Sequence, residues 1–171
     1  NQTICGNVTN CGICSSGTCN VTGQCVPQVP VGPVILFSDD FESYTSPSHP
    51  PLYNEMNAKR WTINDQTFPL QNDDVYLNRS KSFAGTYSLL IQDDAQVIAN
   101  VSTLGRTNIS VGYARRTISA ETSEFLRVAW RVGNSGAWAV IENAQSNAAW
   151  QVRQINLSTA ASNQALIQIR Y

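Results

Sequence analysis

Glu124-Phe125-Leu126-Arg127-Val128-Ala129-Trp130-Arg131-Val132 decides the fold. Leu126, Val128, Trp130 and Val132 fall on one side of an extended chain, and Arg127 and Arg131 on the other. Successive side chains of a strand point to opposite faces, so this period of two marks an antiparallel strand buried on one face only. Ala165-Leu166-Ile167-Gln168-Ile169-Arg170-Tyr171 repeats the pattern, with Ile167, Ile169 and Tyr171 alternating with Gln168 and Arg170. Working outward, strands are expected over Asn108 to Arg116, Trp138 to Glu142 and Trp150 to Leu157. Shorter ones are expected at Val34 to Phe37, Trp61 to Ile63, Val75 to Leu77, Ser88 to Ile91 and Gln96 to Asn100. Pro47, His49, Pro50 and Pro51 predict a loop without regular structure. Helical periodicity is missing throughout. Nine or ten short strands at this spacing predict an all-β fold, an antiparallel jelly-roll β-sandwich over residues 34–171.

The first 26 residues read differently. Cys5, Cys11, Cys14, Cys19 and Cys25 lie in a stretch rich in Gly, Asn and Thr without apolar periodicity. A segment this short cannot bury a core of its own, and cross-links that restrict the unfolded chain take over that role, so a small disulfide-rich segment is expected. Cys11-x-x-Cys14 invites zinc, but neither a second such pair nor a histidine completes a tetrahedral set. Five is an odd number. One thiol pairs outside the segment, stays free or links to another chain, and connectivity is left open. Residues 27–33 contain Pro27, Pro30 and Pro33 and read as an extended, semi-rigid linker between the two regions.

Composition limits the function. Charged residues make up 13% of the chain, about half the roughly 25% usual for soluble domains. The net charge is −1 and there is no run of Lys or Arg, so no electrostatic footprint for nucleic acid exists. No apolar stretch has the length of a membrane span. The sequence opens at Asn1 without a methionine, as a processed or excised piece does. Seven Asn-x-Ser/Thr sequons, at Asn1, Asn7, Asn20, Asn78, Asn100, Asn108 and Asn156, point with the cysteines to an extracellular or cell-surface glycoprotein. At Asn100, Asn108 and Asn156 the middle residues are Val101, Ile109 and Leu157. On a strand these turn inward and leave each asparagine facing solvent.

Groups for catalysis are scarce. His49 is the only histidine, which leaves His-based triads and multi-His metal sites without support. The paired carboxylates Asp39/Asp40, Asp73/Asp74, Asp93/Asp94 and Glu121/Glu124 read as solvated turn residues rather than as a facing acid–base pair. Neither a nucleophile elbow nor a phosphate-binding glycine loop occurs. The chain is therefore not expected to be an enzyme. Tyr44, Tyr53, Trp138 and Trp150 are the candidate stacking platforms for a bound glycan, whereas Trp61 and Trp130 read as core.

Several of these motifs together resemble a known group of modules. They are Asp39-Asp40-Phe41-Glu42-Ser43, Trp61-Thr62, Ser82-Phe83-Ala84-Gly85-Thr86-Tyr87-Ser88-Leu89-Leu90, Val111-Gly112-Tyr113-Ala114-Arg115-Arg116 and the two alternating strands quoted above. The stretch from Phe37 to Tyr171, about four fifths of the chain, is similar to the galactose-binding-like and concanavalin-like (MAM-type) jelly rolls of secreted multidomain proteins. The cysteine-rich segment resembles a truncated EGF-like module. The resemblance implies glycan binding or adhesion, and a structural calcium near Asp40 and Glu42. It also implies a further strand after Tyr171. Such a strand lies in the continuing polypeptide or comes from a neighbouring copy by strand addition, for which the N-terminal segment with its linker is a candidate donor. The expected function is a non-catalytic structural or adhesive module that self-associates into a homopolymer or array. The alternative is a carbohydrate-binding module detached from a secreted glycoside hydrolase.

Overall fold

The structure is a computed structural model that describes residues 17–19, 25–27, 33–48, 51–64, 74–118 and 125–171. The chain divides into two units, Asn1–Ile35 and Leu36–Tyr171. In the first, β1 (Gly17–Cys19) and β2 (Cys25–Pro27) form a short antiparallel ladder that sets Cys19 opposite Cys25. Cys5, Cys11, Cys14, Asn1, Asn7 and Asn20 lie outside the described residues.

The second unit is built of antiparallel strands. In chain order these are β3 (Trp61–Asn64), β4 (Val75–Asn78), β5 (Ser88–Ile91), β6 (Gln96–Val101), β7 (Ser110–Thr117), β8 (Leu126–Val132), β9 (Ala139–Ala144), β10 (Asn147–Asn156) and β11 (Ile167–Arg170). One sheet has the order β3-β6-β11-β8-β9, while β4-β5 and β10-β7 are separate two-stranded ribbons. The strand read first in the sequence, β8, sits next to β11, with Trp130 opposite Ile169 and Arg131 opposite Gln168. The row continues from Ile169 to Ala99 of β6 and from Ala99 to Trp61 of β3.

Alternation along these strands makes the core. Val97, Val128, Ile167 and Ile169 are buried on the inner face of the sheet, and Val75 and Leu77 of the β4-β5 ribbon join the same cluster. Ile109 and Leu157, which flank β7 and β10, also join it. Burial of such side chains at about 1.5–3 kcal/mol each is the main source of stability. Tyr171 fills the space between parts of this layer. Its ring lies 6.2 Å from Trp61 and 5.5 Å from Tyr113, edge-on to the latter. Burial pushes its hydroxyl up to about 12.

Three expectations are corrected. The predicted strand Val34 to Phe37 forms no ladder. Its apolar end turns inward instead, Phe37 packing edge-on against Trp61 at 5.1 Å, while Val34 and Ile35 stay 47% and 78% exposed. The Pro-rich loop contains a helix, α1 (Pro51–Ala58). Pro51 stands at the first helical position, where an amide hydrogen has no partner to lose. Leu52 and Met56, one helical turn apart, are both buried. His49 and Pro50 lie outside the described residues. Gln168, expected on the solvent side, is 6% exposed. Its amide donates to Asn100 Oδ1 at 2.8 Å and its Oε1 accepts from Arg131 Nε at 2.7 Å, the partners that permit a polar group to be buried.

Candidate functional site

The most buried charged residue among those described is Glu142 of β9. A β-bulge gives it that position: Ala129 pairs with Val140 but Val128 pairs with Glu142, so one extra residue re-aims the strand. Glu142 thereby joins the inner row beside Val128 and is 8% exposed. β7 and β10 supply its partners. Tyr113 lies opposite Arg153 in their ladder, and Arg115 opposite Gln151, so all four share one face. Arg115 Nη2 meets Glu142 Oε1 at 2.7 Å, and Arg153 Nε meets it at 2.9 Å. Tyr113 donates its hydroxyl to Oε2 at 2.6 Å. Burial, the largest influence, pushes the Glu142 carboxyl up, but the hydrogen bonds from Arg115 and Tyr113 and both guanidinium charges outweigh it. The net result is a carboxyl held below the ordinary range. Tyr113 is pushed in the opposite sense, first by burial and then by the hydrogen bond to Glu142. An anchored, ionised carboxylate with two cations ties layers together and has no proton to transfer at neutral pH.

The opening acidic stretch is a second polar knot. Asp39 Oδ2 accepts from Tyr44 Oη at 2.5 Å and from Trp61 Nε1 at 2.8 Å, and Oδ1 accepts from Phe41 N at 2.9 Å. This bonding holds Phe41 in the left-handed region at φ 64°, stacked between Tyr44 and Trp61 at 6.1 Å from each. Glu42 reaches across to the loop after β4, its Oε1 accepting from Thr86 N at 2.7 Å and Tyr87 N at 2.8 Å. Gly85 makes that approach possible. Its φ is +70°, and a Cβ there would lie 2.5 Å from the Glu42 carboxylate.

No family model, curated protein or solved structure matches this chain.

The residues singled out for metal and glycan binding now have places. Asp40 accepts from Glu42 N at 3.1 Å and Glu42 clamps the loop, so both carboxylates serve the backbone. Among the described residues no three acidic, His or Cys side chains converge, and the set does not fit calcium, which takes six to eight oxygens. Tyr44 is 5% exposed, which leaves its ring no face to offer a sugar. Tyr53 packs against the core from α1. Trp150 is half-buried with Phe83 5.7 Å from it. Trp138 lies on the outer side of the sheet under two guanidinium groups, Arg131 and Arg170, each 4.3 Å from the ring centre.

The sequon geometry is direct. Val101, Ile109 and Leu157 are buried at 8%, 9% and 9% exposure, whereas Asn108 and Asn156 are exposed. Asn156 of one sequon lies opposite Ser110 of another, and Leu157 N donates to Ile109 O at 2.8 Å. Asn100 is half-buried, and its Nδ2 donates to Arg60 O at 3.0 Å and Thr62 Oγ1 at 2.9 Å. Asn78 accepts from Ser80 N and Oγ at 2.8 and 2.9 Å. The Glu142 partners were not singled out from sequence. Arg115 and Arg153 share inward parity with Tyr113 and Ile155, and that parity was the available signal.

Proposed function

We propose that the chain is a non-catalytic structural or adhesive glycoprotein module of jelly-roll type, at a cell surface or in an extracellular fibre, which joins copies of itself by strand addition. One observation carries the reading. The layer opposite the five-stranded sheet is divided into two ribbons, β4-β5 and β7-β10, that no ladder joins among the described residues, while the apolar run at Val34 and Ile35, read as a strand from sequence, has no ladder among them and stays exposed. Unpaired strand edges and an unpaired strand former are complementary. The occupant is the extended stretch through Val34 and Ile35 of a second copy. Repeated head-to-tail, such a contact does not close and yields an array. The anchored state of Glu142 suits a scaffold. The cysteine cluster and seven sequons suit a disulfide-bearing, glycan-coated protein outside the cell. The test is electron microscopy and sedimentation of the native protein beside a Val34→Asp/Ile35→Asp variant. Arrays from the native protein, and dispersed particles of unchanged melting temperature from the variant, are expected. Dispersed native protein at all concentrations, or arrays from the variant, would reject strand addition through this segment.

A further inference from the structure

We propose that the outer face of the five-stranded sheet binds an acidic polysaccharide, holding its carboxylate or sulfate groups on Arg127, Arg131 and Arg170. This inference is independent of strand addition. The five strands contain three arginines and one acidic residue. That acid, Glu142, faces inward and is bonded to Arg115 and Arg153. All three arginines face outward. Arg131 pairs in register with Gln168, Arg170 with Ala129 and Arg127 with Asn143, so the charges step along the sheet, Arg170 lying between the other two. Two residues of strand advance about 6.6 Å, a spacing on the scale of one sugar ring.

The guanidiniums are ordered but not used up. Arg131 and Arg170 stack on Trp138 at 4.3 Å, and Arg127 stacks on Phe125 at 4.9 Å. A guanidinium held over a ring keeps N–H groups that the ring does not engage, and these can take a bidentate anion. Among the described residues Arg131 spends only Nε, on Gln168 at 2.7 Å, and Arg127 only Nε, on Asn143 at 3.4 Å. Burial and the like charges of Arg127 and Arg131 lower the affinity of Arg170 for its proton. A bound anion removes that repulsion. The choice of a sugar polymer rests on the rest of the row. The exposed side-chain amides of Asn134 and Asn143, the first bonded to Gln168 beside Arg131 and the second to Arg127, are groups that match hydroxyls.

The intact protein is titrated with heparin as a sulfated probe, polygalacturonate as a carboxylate probe and neutral dextran. Expected are binding of at least one acidic polymer, none of dextran, and weakening as salt rises. An Arg127→Gln/Arg131→Gln/Arg170→Gln variant should lose at least tenfold in affinity. Trp138→Ala should lose several-fold at unchanged net charge, because the guanidiniums are no longer held. If the triple variant fails to fold, Arg127→Glu, at an exposed position, should itself weaken binding several-fold. Failure to bind either acidic polymer, retention by these variants, or equal binding of polyglutamate or duplex DNA would overturn the proposal.

Discussion

Five of the arginines on this chain's strands fall into two contrasting settings. Arg115 and Arg153 point between the layers and converge on Glu142. Arg127, Arg131 and Arg170 point outward, stack on aromatic rings and meet no carboxylate among the described residues. Strand parity and one bulge produce the difference, since the bulge at Val128/Ala129 turns the only acid of the five strands inward. The contrast teaches that the same residue type serves cohesion on one face and availability on the other. A charge buried with its partner is costly to orphan. An exposed one is nearly free to remove.

The largest effect should follow from breaking the inner cluster. Glu142→Ala leaves Arg115, whose side chain is 11% exposed, without its anion, and denaturant unfolding should show a loss of about 3–5 kcal/mol. A loss under about 1 kcal/mol would mean that the inner and outer arginines do not differ. Acid should act on the same group. Because the folded carboxyl is held low, its stabilisation is complete above the unfolded value of about 4.3 and fades as pH falls through the lower folded value. Glu142→Gln should flatten the melting-temperature profile in that acid window, and an unchanged profile would assign acid sensitivity elsewhere. Arg153, with its side chain 45% exposed, should cost only about 1 kcal/mol or less as Arg153→Gln. Arg127→Gln should change stability by no more than about 0.5 kcal/mol, so that its effect is on ligand affinity.

The outer half of the comparison was legible in the sequence. Alternation in Leu126 to Val132 and Ile167 to Tyr171 set Arg127, Arg131 and Arg170 opposite the apolar side, and the same reading located the other strands of the second unit to within a few residues, whereas β1 and β2 were not read from the cysteine-rich segment. The inner half was not. Glu142 needs a bulge that no local pattern announces, and its partners lie 29 and 27 positions before it and 11 after it in the chain, brought together only by the β7-β10 register. Helix α1 escaped because eight residues with Leu52 and Met56 as its only buried positions are too short a periodic signal beside three prolines. The run at Val34 to Phe37 has strand composition, yet Phe37 satisfies it by packing on Trp61. That mismatch between composition and pairing is what the proposed self-association resolves.

Amide hydrogen exchange on dispersed and assembled protein tests the strand-addition account most directly. Backbone amides at Val34 to Phe37, together with those along the edge of β5 or β7, should slow by at least tenfold on assembly while the centre of β11 stays unchanged. Assemblies in which Val34 to Phe37 exchange as fast as in dispersed protein would contradict it.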